Sequence, residues 1–88
     1  MGANLRKSQR HILSTLGMIY DIKGNLLMPC IVRDISATGA RLELARDEPL
    51  PKSFLLSLTK DGIVRRMCGV AWQLATVAGV RFGGEASA

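Results

Sequence analysis

The sequence predicts an all-β protein, a small antiparallel barrel of six short strands with low helix content. Short apolar runs recur along the 88 residues, each closed by residues typical of turns, and neither an internal repeat nor a long segment of helical period interrupts them. A chain of this length has room for one compact core, and closing the sheet removes strand edges that would otherwise be exposed. We expect a single domain, 1–88, with an arm over 1–11, a barrel over 12–83 and a frayed tail over 84–88.

The first two strands are predicted on either side of a turn. The run ILSTLGMIYDI (12–22) indicates the first strand and LLMPCIVRDI (26–35) the second, with the turn residues KGN between them. Pro29 lies within the second run, and because proline has no amide hydrogen we expect it at a sheet edge or a bulge.

The other four strands follow from the alternation of apolar and polar residues. They are predicted in ARLELA (40–45), SFLLSLT (53–59), RRMCGVAWQL (65–74) and AGVRFG (78–83), with a hairpin at Asp61-Gly62. The alternation places these side chains inside the barrel: Ala40, Leu42, Leu44, Phe54, Leu56, Leu58, Cys68, Val70, Trp72, Val80 and Phe82. Trp72 has the shape to stack on a nucleobase, but its place in the alternation favours the core, whereas Arg81 is predicted to face outward.

The charge of the chain narrows the class of partner. Twelve Lys and Arg against seven Asp and Glu give a net charge of +5, which favours nucleic acid, a nucleotide or an acidic protein surface. No apolar run is long enough to cross a bilayer and no export signal is recognisable. We therefore expect a soluble, cytoplasmic protein with no membrane partner.

Few residues suggest catalysis or metal binding. Cys30 and Cys68 lie in apolar runs, where reduced core thiols are expected. His11 is the only histidine, and no Cys or carboxylate stands at ligand intervals around it, so neither a metal nor a cofactor is expected. No nucleophile has a base in a matching motif, which favours a receptor over an enzyme.

Two short polar stretches are candidates for a binding site. RKSQR (6–10) holds two arginines four residues apart, which alone is typical of a solvated basic arm. In VRDISATGARLEL (32–44), Asp34 and Ser36 alternate onto the same side as they leave the second strand, and Gly39 supplies a position where positive φ costs nothing. Alone, this corner is better explained as a tight turn whose polar side chains bond their own backbone.

Together, the two stretches resemble the PilZ family of bacterial cyclic di-GMP receptors. Arg6 and Arg10 match the family's R-x-x-x-R motif, Asp34, Ser36 and Gly39 match its [DN]-x-S-x-x-G motif, and GVAWQLATVAGVRF (69–82) resembles its closing hairpin. The resemblance implies a six-stranded antiparallel barrel, with a flexible arginine arm folding across the mouth and the corner lining the opposite side of the ligand. Only about half a dozen residues follow Phe82, so little or no C-terminal helix is expected.

Cyclic di-GMP offers the groups that these side chains recognise. The guanidinium forks of Arg6 and Arg10 fit phosphates and the O6 and N7 acceptors of guanine, and their planes can stack on a base. The Asp34 carboxylate can accept from guanine N1–H and the N2 amino group, a donor pair that adenine lacks, while Ser36 offers a hydroxyl and Gly39 shapes the corner. We expect ligand binding to order the arm and so to signal to an unidentified downstream protein.

Two other functions stay open at the level of sequence. One is a PilZ-like protein-interaction module that binds no nucleotide. The other is a small basic barrel that binds single-stranded nucleic acid, which is disfavoured because three of the four aromatic residues are predicted inside and stacking needs exposed rings. Four further cations, Lys7, Arg33, Arg65 and Arg66, are interpreted as surface charges.

Overall fold

Six strands make up the part of the protein that can be described. The computed structural model describes residues 11–58 and 65–83, and within those ranges it contains no helix. The strands are β1 (His11–Tyr20), β2 (Leu26–Ile35), β3 (Gly39–Leu44), β4 (Ser53–Ser57), β5 (Arg65–Leu74) and β6 (Val77–Phe82). Residues 1–10 of the predicted arm, the hairpin at Asp61-Gly62 and the tail after Gly83 lie outside the described residues. His11, predicted as the last residue of the arm, is instead the first residue of β1.

The strands close into one antiparallel barrel in the order β1-β2-β3-β6-β5-β4, with β4 pairing back onto β1. The predicted six-stranded all-β barrel is therefore confirmed. β2 and β5 have the predicted bounds, while β3 and β6 each begin one residue earlier than predicted. No helix that could cross a membrane occurs within 11–58 or 65–83.

The barrel interior is filled by apolar side chains from all six strands. They are Ile19, Met28, Cys30, Val32, Leu42, Leu44, Phe54, Leu56, Cys68 and Val80. The inner faces predicted for β3 and β4 are confirmed: Leu42, Leu44, Phe54 and Leu56 are buried, and Ala40 and Leu58 are partly buried against the core. Ser57 at the end of β4 is buried as well and interrupts the alternation there. Cys30 and Cys68 are both buried free thiols, as predicted. A packed interior leaves no room for a ligand, so a binding site has to lie on the outside of the barrel.

A bulge in β5 overturns the prediction that Trp72 belongs to the core. Val70 lies opposite Val80, but Trp72 lies opposite Gly79, so Ala71 is an extra residue without a partner in β6. One extra residue moves every following side chain to the other face of the sheet. Trp72 consequently points outward and is 48% exposed.

A second bulge, in β2, decides which charges meet between β2 and β3. Val32 lies opposite Leu42 and Asp34 lies opposite Arg41, so the extra residue is Arg33. Regular pairing would have brought two arginines face to face, which is unfavourable for like charges. The bulge instead brings a carboxylate opposite a guanidinium.

β2 is paired on both sides, but Pro29 itself pairs only with β1 and lies one residue past the end of the pairing with β3, so the predicted edge is a local one at the end of the ladder. Its Cα partner in β1 is Met18, and its carbonyl oxygen accepts from the Ala45 amide at 3.2 Å. The nitrogen and carbonyl of a strand residue point to the same side. The missing amide hydrogen of Pro29 therefore faces the side on which β3 has already ended at Leu44, so it falls beyond the paired part of the β2–β3 ladder.

Candidate functional site

The corner between β2 and β3 is held by its own hydrogen bonds. The Ser36 amide donates to the Gly39 carbonyl at 2.8 Å, and the Ser36 hydroxyl lies 3.4 Å from the Thr38 hydroxyl, the Thr38 amide and the Gly39 carbonyl. The Phe82 amide donates to the Thr38 carbonyl at 2.9 Å, which ties the corner to the end of β6. These bonds are those of the tight turn considered above, and they fix the position of the Ser36 side chain.

Gly39 is required for a reason other than the predicted one. The positive-φ glycines among the described residues are Gly24 and Gly83, so Gly39 does not use the left-handed region. A Cβ built on Gly39 would lie 2.2 Å from the Val80 carbonyl oxygen. Glycine is needed because the backbones of β3 and β6 approach each other closely at this point.

Asp34 is buried and forms an ion pair with Arg41. The carboxylate side chain is 5% exposed and the arginine side chain 52%, and Arg41 Nε lies 3.0 Å from Asp34 Oδ2. A buried carboxylate needs such a charged partner, because desolvation of an isolated anion is costly. The bulge at Arg33 is what puts the two side chains opposite each other.

A shallow cleft of about 170 Å³ lies on the outer face of the sheet beside this corner. It is lined by Ser36, Thr38, Gly39, Ala40, Arg41, Ala71, Trp72, Gly79, Val80 and Arg81. Gly79 pairs with Arg41 on one side and Trp72 on the other, which puts these three residues in one row across β3, β6 and β5. The next row consists of Gly39, Arg81 and Gly69. Gly39 and Gly79 therefore add no side chains of their own to the cleft, and Arg41, Arg81 and the Trp72 indole form its sides.

The Trp72 indole lies directly over Gly79. A Cβ built on this glycine would be 2.2 Å from the indole Nε1, so the ring occupies the space that any other residue would fill. The ring therefore packs against the backbone of β6, and Trp72, which is about half exposed, lines the cleft. The sequence predicted Trp72 inside the barrel. Gly79 was the sequence signal against this, because a strand residue without a side chain leaves room for a large neighbouring side chain to lie across β6.

The structure brings together some of the predicted site residues and not others. Ser36 and Gly39 both line the cleft. Asp34 does not line the cleft, but it forms an ion pair with Arg41, which does. Arg6 and Arg10 lie outside the described residues. Arg41, Trp72 and Arg81 are cleft residues that the sequence did not single out as part of the site.

The other arginines of β5 and β2 have local partners. The guanidinium carbon of Arg65 is 4.2 Å from the centroid of the Tyr20 ring, and that of Arg66 is 5.0 Å from the Phe82 centroid. Arg33 lies 3.0 Å from the Glu43 carboxylate on the outer face. Within 11–58 and 65–83, no three Cys, His, Asp or Glu side chains converge as a metal site would require.

Comparison with known proteins agrees with the barrel and the corner. A search of curated proteins finds no match for the chain. A sequence model of the PilZ domain matches residues 4–87, a range that includes both arginines of the arm, the corner and the closing hairpin. PilZ domains are in general binding domains for cyclic di-GMP and are not a catalytic family. With nearly its whole length covered and a six-stranded antiparallel barrel as its fold, the chain belongs to the PilZ domain family.

Proposed function

We propose that this domain is a cytoplasmic receptor for cyclic di-GMP and has no catalytic activity of its own. The observation that carries the proposal is where β1 begins. His11, the first residue of β1, pairs with Ile35, the last residue of β2, so the chain enters the barrel beside the corner. In the sequence the R-x-x-x-R motif directly precedes His11, so in this proposal its arginines bind a ligand held at Ser36 and the cleft.

The size of the cleft supports a ligand that is held from two sides. At about 170 Å³, it is smaller than the roughly 300–1,000 Å³ that encloses a drug-sized molecule. It has the room and the lining for one base, with the Trp72 ring as a stacking surface. The remainder of a cyclic dinucleotide would then be bound by Arg6 and Arg10, whose forks fit guanine edges and phosphates.

Ligand binding, in this proposal, orders the arm and changes the surface that a downstream protein contacts. The segment MGANLRKSQR has few apolar residues with which to hold itself against a core. Fixing each residue costs on the order of 1–2 kcal/mol of backbone entropy, so only residues near the arginines become tightly ordered. Amide relaxation by NMR tests this: residues 4–10 should become rigid on adding cyclic di-GMP, and equal rigidity with and without ligand contradicts the switch.

Arg6→Ala and Arg10→Ala should each weaken cyclic di-GMP binding about 5- to 150-fold, because each removes a bidentate contact of roughly 1–3 kcal/mol. Titration calorimetry measures the affinity, and the fluorescence of the single tryptophan reports occupancy of the cleft. Lys7→Ala is the matched control, since it removes a cation from the same segment but outside the motif. Unchanged affinity in both arginine variants would show that the arm is not part of the site.

The same calorimetry separates this function from the two alternatives. A protein-interaction module would bind no cyclic dinucleotide, and a nucleic-acid barrel would prefer an oligonucleotide. The exposure of Trp72 removes part of the earlier argument against nucleic acid, which counted this ring as buried. Of the other aromatic rings, however, Phe54 is fully buried and Tyr20 and Phe82 lie under arginines, so one stacking surface is available where a single-strand binder uses several.

A further inference from the structure

Arg41 combines a fixed position with donors that face the cleft. Its Nε lies 3.0 Å from Asp34 Oδ2, and about half of its side chain is exposed where it lines the cleft. A guanidinium carries five N–H donors, of which the Nε contact engages one. The two terminal nitrogens therefore retain donors in a fork that the ion pair holds in place.

The row across the sheet relates this fork to the indole. Arg41 and Trp72 lie on either side of Gly79, and with strands about 4.8 Å apart their backbones are roughly 10 Å from each other. The indole covers Gly79, so the ring itself extends across β6 from Trp72 toward Arg41. A base that stacks on the exposed face of the indole would extend its edge toward the guanidinium. Guanine presents the O6 and N7 acceptors that an arginine fork matches, whereas adenine presents an amino donor beside its N7.

We propose that Arg41 is a further ligand-binding residue, which recognises the O6 and N7 atoms of a guanine, and that Asp34 positions Arg41. This inference rests on the proposed function. Asp34 then contributes to guanine recognition through Arg41. This assigns a function to a buried carboxylate that does not itself line the cleft.

Titration calorimetry with two ligands tests the assignment atom by atom. The ligands are cyclic di-GMP and its 7-deazaguanine analogue, in which a C–H replaces the N7 acceptor. The wild-type protein should bind the analogue more weakly than cyclic di-GMP, and the ratio of the two affinities is the N7 penalty. Arg41→Ala should reduce this penalty and should also weaken cyclic di-GMP binding about 5- to 150-fold. Arg41→Lys, which keeps the charge and loses the fork, should behave similarly and covers the case in which the alanine variant does not fold.

Asp34→Ala supplies the test of positioning. A carboxylate and N7 are both acceptors and form no hydrogen bond with each other, so Asp34 can affect the N7 penalty only through a donor such as Arg41. The penalty should shrink in Asp34→Ala and shrink no further when Arg41→Ala is added. Arg33→Ala is the matched control: it removes an ion pair of the same 3.0 Å length between the same two strands, away from the cleft. That variant should keep the full penalty.

The outcomes distinguish this inference from the function on which it rests. A wild-type protein that does not bind cyclic di-GMP contradicts the proposed function. A wild-type protein that binds it, together with an Arg41→Ala variant that keeps the full N7 penalty, contradicts the role of Arg41 alone. A penalty that shrinks in Arg41→Ala and stays whole in Asp34→Ala contradicts the positioning role of Asp34.

Discussion

Gly39 is the residue at which the smallest change should do the most damage to the site. Any side chain there meets the Val80 carbonyl oxygen, which belongs to backbone and cannot rotate away. We predict that Gly39→Val lowers the free energy of unfolding by about 1–3 kcal/mol, the usual cost of overpacking, and weakens ligand binding as well. Thermal unfolding followed by circular dichroism measures the first effect and calorimetry the second.

The control for Gly39→Val is Ala37→Ser, at an exposed position of the same corner. It should change the melting temperature by no more than about 2–4 °C, since exposed substitutions are usually worth under about 0.5 kcal/mol. If Gly39→Val melts at the wild-type temperature, the close approach of β3 and β6 is not a constraint on this residue.

Trp72 illustrates where residue-scale prediction stops. The alternation of apolar residues in a strand predicts which side of the sheet each side chain points to only while the strand pairs regularly with its neighbour. The facing of Trp72 is decided by the extra residue Ala71, and a bulge depends on the partner strand as much as on the strand that carries it. The motif residues Ser36 and Gly39 could be found from sequence because their spacing is local, whereas the Arg41 and Trp72 contributions come from pairing across three strands.

Among the elements, the strands were predictable because each one carries a local signal. β3 alternates from Arg41 to Leu44 and β4 alternates as far as Leu56, and turn residues flank most strands, so their faces and approximate ends follow from the sequence. The pairing order was not accessible in the same way, because β3 pairs with β6 and β1 with β4 across long sequence separations. The edge expected at Pro29 is an example: it is a local edge, set by where β3 ends, which the sequence around Pro29 does not show.

The turn between β5 and β6 contains a strained residue that can be relieved. Ala75 has a φ of 55°, in the left-handed region that disfavours residues with a Cβ. We predict that Ala75→Gly raises the free energy of unfolding by up to about 1 kcal/mol, because the steric gain exceeds the extra entropy of an unfolded glycine. Ala45→Gly, at an exposed alanine without positive φ, is the control and should be destabilising by roughly 0.5–1 kcal/mol. Chemical denaturation of both variants gives the two values, and equal signs would contradict the explanation.

At the scale of the whole molecule, the filled interior of the barrel has a consequence for signalling. The core side chains from six strands leave the inside of the barrel closed to a ligand. The cleft lies instead on the outer face of β3, β6 and β5, beside the point where the chain enters β1. A ligand bound there becomes part of the surface that a partner contacts, so a change of barrel shape is not needed for a signal.

The two core thiols should determine how the whole barrel responds to alkaline pH. Burial, with a smaller contribution from neighbouring Cys68, raises the pKa of Cys30 from 9.0 to about 12. Burial also raises the pKa of Cys68 to about 11, against the opposing effect of the Arg66 charge. Above pH 9 the thiols of the unfolded chain lose their protons while those of the folded barrel keep them. The unfolded state then binds fewer protons, and the stability of the folded state falls as pH rises.

We predict that this loss begins near pH 9, the unfolded-state pKa, and continues until the folded-state values of about 11 and about 12 are reached. Its slope should approach about 1.4 kcal/mol per pH unit for each thiol. Urea denaturation at intervals between pH 8 and about 11 measures it. The double variant Cys30→Ala, Cys68→Ala is less stable at neutral pH because it leaves cavities, but its stability should fall less steeply above pH 9. The two proteins differ only at the two cysteines, so the difference in slope between them reports the thiols, and parallel profiles would show that the burial of the thiols does not control alkaline stability.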